Sequence, residues 1–473
     1  MEIINFKNYS FTYGGKSDTA IENINISIDK GQFILIAGDS GSGKTTFVRS
    51  LNGLIPEITE GILEGERYLT GKNVNELPIY EISRKIGSVF QNPRSQFFTL
   101  EVESELVFSM ENYGFTRKQM EDEINKVNKM IPLDSLKDKK ISQLSSGERQ
   151  ILALASVLTL GPDILLFDEP SANLDYRNAM KLKKILAKFK KQGKTILIAD
   201  HRYFYMNGLV DKVLLFENGK ARLFNSESEF CNGYYHARSF NIFESVHNFE
   251  KRKNRAGKVA ARVENVSKWD VLKEMSMSVQ SGEVTVMLGA NGAGKTTLSK
   301  LLTKSIRPDS GSVQVSNQAF SVMQDADFQL FGTSTYNELE IGCKKLSDDV
   351  KDKVLKRLGL WEKRNAHPFE LSGGEKQRLQ IAVASLSDSD LIIFDEPTSG
   401  LDIKSMERVT NEIKDLSVNK AVFVITHDYE FVCAVADRVL YLKGGKVQED
   451  FKLDSNTIPL LNKIYIDMED WNE

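Results

Sequence analysis

Gly38-Asp39-Ser40-Gly41-Ser42-Gly43-Lys44-Thr45-Thr46 is a glycine-rich stretch that directly follows the apolar run at residues 33–37. The arrangement occurs twice, because Gly289-Ala290-Asn291-Gly292-Ala293-Gly294-Lys295-Thr296-Thr297 follows the apolar run at residues 284–288. An apolar run that ends in such a loop predicts a buried strand leading into a helix. Both halves of the chain are therefore expected to contain the same strand, loop and helix.

The composition of the loop matches the chemistry of a phosphate site. A triphosphate needs several converging backbone N–H donors, and glycine lets the backbone approach it closely. The helix that follows adds an N-terminal dipole that favours an anion. Lys44 and Lys295 would contact the β and γ phosphates, and Thr45 and Thr296 would offer hydroxyl groups to Mg²⁺. The alternative is a plain glycine turn between strand and helix. Because the full motif occurs twice, each time behind an apolar strand, a plain turn explains it poorly.

The length and the repeat predict two domains. A chain of 473 residues is too long for one ordinary core. The repeat divides it into a first domain at residues 1–228, a linker at 229–258 and a second domain at 259–473. The linker ends in a basic run at residues 250–258. A solvated connection is the favoured interpretation of that run, and a contact with lipid headgroups or RNA is the alternative.

Charge and apolar patterning exclude several classes of protein. The chain has 62 Lys and Arg residues against 65 Asp and Glu residues, so no specific nucleic-acid partner is expected. Three widely separated cysteines fit neither a disulfide framework nor a metal site, which indicates a reducing, intracellular location. No leader pattern opens the sequence, and the longest apolar stretch, at 151–167, is broken by Gly161-Pro162-Asp163. Any membrane crossing is expected to belong to other chains.

Polar residues end each of the predicted buried strands. The apolar run 164–167 is followed by Asp168-Glu169, and the apolar run 195–199 is followed by Asp200-His201. Alternating strands and helices of this kind predict a doubly wound α/β sheet with its ligand at the carboxyl edge. The sequence therefore predicts that the phosphate loop and these polar residues meet at one edge.

The second half repeats these features in the same order, with two shorter intervals, of which the smaller, by 6 residues, lies between Gln324 and Ser372. Lys44 and Lys295 are 251 positions apart, whereas Gln91 and Gln324 are 233 apart, so 18 residues are missing between them in the second copy. This larger deletion falls in a stretch of short apolar segments and glycines that predicts a small antiparallel sheet. We therefore expect a trimmed antiparallel lobe in the second half.

The ordered motifs resemble those of the ATP-binding cassette ATPases over nearly the whole chain. They are the phosphate loop, the glutamine, a serine turn (Leu144-Ser145-Ser146-Gly147-Glu148 or Leu371-Ser372-Gly373-Gly374-Glu375), an Asp-Glu pair after a strand, residues 171–175 or 399–402, and a histidine. The resemblance implies an α/β fold with two P-loop NTPase domains. Each would have a RecA-like core, an antiparallel β lobe and a helical subdomain.

The resemblance also implies two ATP molecules bound between head-to-tail cassettes. One site would combine Lys44, Gln91, Asp168, Glu169 and His201 with Ser372, Gly374 and Glu375. The other would combine Lys295, Gln324, Asp395, Glu396 and His427 with Ser145, Gly147 and Glu148. Because Ser146 stands where the second turn has Gly373, we expect weaker turnover at the site that uses the first turn.

The family pattern assigns roles to these residues. The metal set would be Asp168, Gln91 and Thr45 in one site and Asp395, Gln324 and Thr296 in the other. Glu169 and Glu396 would polarise the attacking water, while His201 and His427 would reach the γ-phosphate. Tyr13 and Trp269 stand where cassettes stack an aromatic ring on adenine, and packing is the alternative for both.

The segments after the two glutamines favour one class of cassette protein. Gln91-Asn92-Pro93-Arg94-Ser95-Gln96-Phe97-Phe98 and Gln324-Asp325-Ala326-Asp327-Phe328-Gln329-Leu330-Phe331 resemble those of energy-coupling factor importers of vitamins and metal ions. That resemblance implies a multi-span scaffold subunit, a substrate-binding membrane subunit and a peripheral position on the cytoplasmic face of the membrane. The alternative is a tandem-cassette ATPase associated with translation. Motifs alone identify neither the cargo nor the direction of transport.

Overall fold

The computed structural model describes residues 1–172, 174–233, 240–244, 257–341 and 346–470. The chain forms two compact units, of which the first comprises Met1–Leu174 and Asn178–Glu244 and the second comprises Asp175–Arg177 and Ser245–Glu473. Most of the predicted linker and its basic run, together with Asn173, lie outside the described residues. Within the described part, no helix is both long and apolar enough to cross a membrane.

Two sheets form the first unit. The strands are β1 (Glu2–Tyr13), β2 (Ile21–Asp29), β3 (Phe33–Gly38), β4 (Gly61–Leu69), β5 (Lys72–Asn73), β6 (Ile86–Val89), β7 (Ile164–Asp168), β8 (Thr195–Ala199), β9 (Lys212–Glu217) and β10 (Lys220–Phe224). The larger sheet has the order β10-β9-β3-β8-β7-β6, and the smaller has the order β2-β1-β4-β5. The larger sheet is parallel from β9 to β6, and β10 pairs with β9 in the antiparallel direction.

The central strands β3, β8 and β7 are almost entirely buried, which explains their continuous apolar sequences. Ala199 at the end of β8 is in register with Ile36 of β3 and with Asp168 of β7. The three strands therefore deliver their carboxyl ends to one edge of the sheet.

Helices cover this sheet and extend it on one side. They are α1 (Lys44–Leu51), α2 (Leu54–Glu57), α3 (Ile79–Lys85), α4 (Val102–Asn112), α5 (Arg117–Met130), α6 (Ser146–Leu158), α7 (Tyr176–Lys191) and α8 (Glu227–Gly233). The smaller sheet packs against α1, where the rings of Phe6 and Phe47 lie 4.9 Å apart. This packing fixes the position of β1, and hence of Tyr13, relative to the phosphate loop.

The second unit has the same plan. Its strands are β11 (Val259–Lys268), β12 (Leu272–Gln280), β13 (Val284–Leu288), β14 (Ser310–Val315), β15 (Ala319–Val322), β16 (Leu391–Asp395), β17 (Ala421–Ile425), β18 (Arg438–Lys443) and β19 (Lys446–Lys452). The helices are α9 (Lys295–Leu302), α10 (Thr335–Glu338), α11 (Asp348–Arg357), α12 (Gly373–Leu386), α13 (Ile403–Ser417), α14 (Tyr429–Val435) and α15 (Ile458–Asp470). The larger sheet has the order β15-β16-β17-β13-β18-β19.

The antiparallel lobe of the second unit is smaller, as the deletion predicted. It contains three strands in the order β12-β11-β14, whereas the lobe of the first unit contains four. In the first unit β5 and α3 lie between β4 and β6, but only residues 316–318 separate β14 from β15. The predicted α/β class and the trimmed lobe are both confirmed.

Candidate active site

The glycine-rich loop of each unit leads into a helix whose first turn has no side-chain cap. Gly43 precedes α1 with a φ of 112°, and Gly294 precedes α9 with a φ of 106°. A Cβ atom at Gly43 would also lie 2.7 Å from Cγ2 of Ile21, so both the backbone and the space require glycine. The helix N–H groups and dipole are therefore directed at the loop, which is the arrangement that binds phosphate.

The loop lysines are buried and point back into their own loops. The Nζ atom of Lys44 donates to the carbonyl oxygens of Gly38 and Asp39, at 2.7 and 2.8 Å. Lys295 donates in the same way to Gly289 and Ala290, at 2.6 and 3.0 Å. Burial lowers the pKa of Lys295, and the nearby Glu396 and Asp395 act in the opposite direction. Each ammonium group is thus held at the place where the loop would surround a phosphate.

A carboxylate ends the strand that lies two positions from the phosphate-loop strand in each sheet. Asp168 ends β7, and Asp395 ends β16. Burial and the adjacent Glu169 raise the pKa of Asp168 to about 6, although Arg49 and Lys44 lower it. Burial and Glu396 likewise raise the pKa of Asp395 to about 6, against the effect of Lys295. These are oxygen ligands of the kind that Mg²⁺ prefers, in sites that penalise an uncompensated negative charge.

The glutamates that follow adopt a rare backbone conformation. Glu169 has a φ of 46° and Glu396 a φ of 49°, in the left-handed region that residues other than glycine seldom occupy. The Glu169 N–H donates to the Ala199 carbonyl at 2.7 Å, and the Glu396 N–H donates to the Ile425 carbonyl at 2.8 Å. The chain therefore turns sharply while it stays bonded to the neighbouring strand. Strain of this kind is found most often at functional sites.

The predicted histidines meet these glutamates. Nε2 of His201 lies 3.3 Å from Oε1 of Glu169, and Nδ1 of His427 lies 2.7 Å from Oε1 of Glu396. The other carboxylate oxygen of Glu169 accepts a hydrogen bond from Nε2 of Gln91 at 2.7 Å. Three separate segments of the first unit therefore meet at one carboxylate. Gln324 follows β15 in the second unit and is exposed.

A cavity of about 800 Å³ gathers most of the predicted residues of the first unit. Its lining includes residues of the phosphate loop and the candidate catalytic pair, and it also includes residues that sequence reasoning missed. The predicted ones are Tyr13, Ser40, Gly41, Gly43, Lys44, Thr45, Thr46, Glu169 and His201. The others are Lys16, Asp18, Thr19, Ala20, Asn218 and Gly219. Asn-Gly between two strands is a hairpin signal, and this turn between β9 and β10 could have been recognised from it.

The two candidate adenine platforms differ. The hydroxyl groups of Tyr13 and Thr46 are 2.9 Å apart, which ties the ring to the phosphate-binding helix. Trp269 lies in a turn with a φ of 47° and is 54% exposed, and Nζ of Lys268 lies 4.7 Å from the centre of its ring. The Tyr13 ring is therefore held in place by a hydrogen bond, whereas the Trp269 ring is largely exposed.

The serine turns have a structural role at the start of a helix. Ser145 caps α6, with its hydroxyl accepting from the Glu148 N–H at 3.2 Å and the Glu148 carboxylate accepting from the Ser145 N–H at 2.8 Å. Ser372 and Glu375 form the same capping box at the start of α12. Both turns thus form a capped helix N-terminus, where the helix dipole favours an anion. A Cβ built on Gly373 has no described atom within 4 Å, so the Ser146 and Gly373 difference carries little steric weight within either unit.

The segment that follows each glutamine is a loop held by hydrogen bonds, and it exposes a phenylalanine. Phe98 is 75% exposed and Phe331 is 72% exposed. Beneath Phe98, the buried Glu105 carboxylate accepts from the N–H groups of Phe98 and Thr99 at 3.1 and 2.9 Å. Glu338 likewise accepts from the N–H groups of Phe331 and Gly332, at 2.8 and 2.5 Å. The two units therefore hold an exposed aromatic ring in the same way.

Comparison with known proteins places this geometry in a family. The family model for ABC transporter matches residues 21–172 and 272–399. A protein of Treponema denticola named as an ABC transporter ATP-binding protein is 39% identical, over 95% of this chain and 97% of its own. The Bacillus subtilis protein YkoD, named as an HMP/thiamine import ATP-binding protein, is 29% identical over 93% of this chain and 90% of its own.

A solved structure shares the fold of the whole chain. The complex of archaeal ribosomal stalk protein aP1 with the ribosome recycling factor aABCE1 contains a chain with a TM-score of 0.67 and 22% identity. The match covers 97% of this chain and 92% of that one. At this identity the likeness establishes a shared tandem fold and nothing about shared partners.

Proposed function

Because the chain belongs to the ABC transporter family of ATPases, we propose that it is the ATP-hydrolysing motor of an importer of the energy-coupling factor type. It would drive uptake of a small micronutrient, a vitamin or a metal ion, through separate membrane subunits. A scaffold with several spans would receive the force, and a second membrane subunit would bind the substrate. The motor would then lie on the cytoplasmic face of the membrane.

One observation carries this proposal, the exposed phenylalanine displayed by the same loop in both units. A group of neighbouring exposed apolar side chains often marks a surface that a partner covers. Phe98 stacks on Phe108 at 4.9 Å and remains 75% exposed, and Leu100 beside it is 82% exposed. Gln91 begins this segment and bonds to Glu169, so a partner seated on Phe98 would be linked to the catalytic carboxylate. A transport partner needs a link of this kind.

The proposed chemistry assigns a task to each site residue. The N–H groups and lysine of each loop hold the phosphates, and Glu169 or Glu396 takes a proton from the attacking water. His201 and His427 orient these glutamates and reach towards the γ-phosphate. Thr45, Gln91 and Asp168 would supply oxygen ligands for Mg²⁺ in the first site, and Thr296, Gln324 and Asp395 would do so in the second. The metal would neutralise phosphate charge when bound. From the family pattern, we also propose that each site is completed by the other unit. Ser372 would join Lys44, and Ser145 would join Lys295.

A membrane pull-down tests the partner directly. The tagged protein is purified from detergent-solubilised membranes, as wild type and as the Phe98→Ser/Phe331→Ser variant. Wild type should recover a protein with several membrane spans in a fixed ratio, and the double variant should lose it while ATP binding stays unchanged. Ile62→Ser is the matched control, because Ile62 is 67% exposed on the antiparallel lobe. Equal recovery with all three proteins would contradict the docking role of the phenylalanines.

A ribosome-associated ATPase is the second candidate, and one observation favours it. The exposed Lys181, Lys184, Lys188 and Lys191 follow one face of α7, and such a stripe suits RNA phosphates. Sedimentation of cell lysate separates the candidates. Cosedimentation with ribosomes that is lost on Lys→Glu replacement along the stripe, with no membrane partner in the pull-down, would replace the importer proposal.

A further inference from the structure

A buried acid lies beside the candidate catalytic pair of the first unit. Asp200 follows β8 and is 2% exposed. Its carboxylate accepts five hydrogen bonds. They come from the N–H and hydroxyl of Ser171 (3.2 and 2.9 Å), the N–H groups of His201 and Arg202 (2.6 and 3.0 Å) and the hydroxyl of Tyr205 (2.7 Å). A carboxylate with this many partners is firmly fixed in place.

These bonds join the two segments that carry the catalytic pair. Ser171 stands two residues after Glu169, and His201 follows Asp200 directly. Arg202 adds a second connection, because its Nη1 atom lies 3.2 Å from the Leu174 carbonyl oxygen. The 3.3 Å approach between His201 and Glu169 therefore depends on a network that Asp200 holds at its centre.

The second unit holds its glutamate and histidine in place with different residues. Thr426 stands where the first unit has Asp200, and its hydroxyl donates to Oε2 of Glu396 at 3.1 Å. Phe431 replaces Tyr205 and is fully buried. Thr398 replaces Ser171, and its buried hydroxyl has no hydrogen-bond partner among the described residues. The side chain before the histidine thus contacts the glutamate itself in this unit.

We propose that Asp200 is a positioning residue for the His201 and Glu169 pair, and that Thr426 is its counterpart acting directly on Glu396. The inference rests on the proposed catalytic role of the two glutamates. It makes the two ATP sites different in a way that their shared motifs conceal. In the first, the acid fixes the backbone on both sides of the pair and leaves the second oxygen of Glu169 bonded to Gln91. In the second, the hydroxyl holds the carboxylate directly.

Turnover measured one site at a time tests the proposal. In a Glu396→Gln background, Asp200→Asn should lower kcat for ATP by about 10- to 100-fold, the size expected when catalytic groups lose alignment, with KM within about twofold. In a Glu169→Gln background, the same Asp200→Asn should change kcat by less than about twofold, and Thr426→Val should instead lower it. Tyr205→Phe removes a single bond to Asp200 and introduces the residue already present at Phe431, so it should fold and show a smaller loss of kcat.

A spectroscopic readout keeps the test independent of turnover. With ring-labelled histidine, Asp200→Asn and Tyr205→Phe should shift the NMR signal of His201, assigned by His201→Gln, and Thr426→Val should shift that of His427. Unchanged kcat and an unmoved His201 signal in both Asp200→Asn and Tyr205→Phe would overturn the positioning role. If Glu169→Gln retained turnover in the Glu396→Gln background, the proposed catalytic function itself would fail, which is a separate outcome.

Discussion

Replacing Asp168 with asparagine should stabilise the protein at neutral pH in the absence of Mg²⁺, although it removes a proposed metal ligand. The pKa of Asp168 in the folded protein is about 6, raised from 3.8 by burial and by Glu169. A carboxyl group whose pKa is raised by folding contributes stability that is fully present below the unfolded pKa and lost as pH rises through the folded pKa. Above about pH 6, the ionised side chain therefore opposes folding.

The structure gives the size of this effect. The shift from 3.8 to about 6 corresponds to at most about 3 kcal/mol of destabilisation. For a unit of this length, that amounts to a rise in Tm of at most about 6 to 12 °C in the Asp168→Asn variant. Asp395 has the same raised pKa, so Asp395→Asn should act equally on the second unit. Mg²⁺ with ATP should narrow the difference by stabilising wild type, since the metal compensates the charge.

Calorimetry in EDTA at about pH 5 and about pH 8 measures the effect. The gain should be full at the higher pH and about half as large at the lower one, because pH 5 lies between the unfolded pKa of 3.8 and the folded pKa of about 6. Asp200→Asn serves as the contrast, since that buried acid accepts five hydrogen bonds and its loss should lower Tm. A lower Tm for Asp168→Asn at both pH values, or a gain that does not change with pH, would refute the reasoning.

Three further predictions follow from single contacts. Tyr13→Ala should weaken ATP binding to the first unit about 5- to 100-fold if the ring stacks on the base, and Tyr13→Phe should stay within a few-fold; equal losses in a fluorescent-ATP titration would contradict stacking. Gly147→Ala should lower the free energy of unfolding by about 1–3 kcal/mol, because the new Cβ would lie 2.7 Å from the Asn178 side chain. Gly374→Ala is the control, since its Cβ would make contacts of 3.7 Å and longer. A larger loss of Tm for Gly374→Ala than for Gly147→Ala would contradict this prediction. Glu105→Ala should remove hydrogen-exchange protection at the Phe98 and Thr99 amides, and Glu105→Gln should retain part of it; unchanged protection in the alanine variant would show that the carboxylate does not hold the loop.

The sequence predicted the fold because its signals are local. Continuous apolar runs that end in Asp168 or in the phosphate loop are visible without any structure, and parallel strands necessarily bring their carboxyl ends together. The missing 18 residues predicted the trimmed lobe because the interval between the two aligned motifs contains the short segments of the small antiparallel sheet. The strand ends predicted that Glu169 and His201 lie at one edge of the sheet, and the family resemblance added Gln91 to them.

The hydrogen bonds that hold the site residues in place could not be predicted, because they depend on the direction in which the side chains point. Asp200 looked in the sequence like another polar residue at a strand end, yet it faces the interior and bonds to Ser171 and Tyr205. The left-handed backbone of Glu169 likewise has no sequence signal, since glutamate has no preference for it. Lys16 and Asp18 reach the cavity only because β1 ends beside the phosphate loop.

The duplication separates what the reaction demands from what each unit can vary. Both units share the strained glutamate and its contact with histidine, so these are the features that we assign to the proposed chemistry. The residue before the histidine differs, an acid in one unit and a threonine in the other, so only the means of holding the pair has diverged. A difference in turnover between the two sites should therefore be traced to Asp200 and Thr426 before the serine turns. At the turns, a Cβ built on Gly373 has no described atom within 4 Å, whereas a change at Asp200 or Thr426 alters contacts at the proposed catalytic carboxylate or one residue away from its partner histidine.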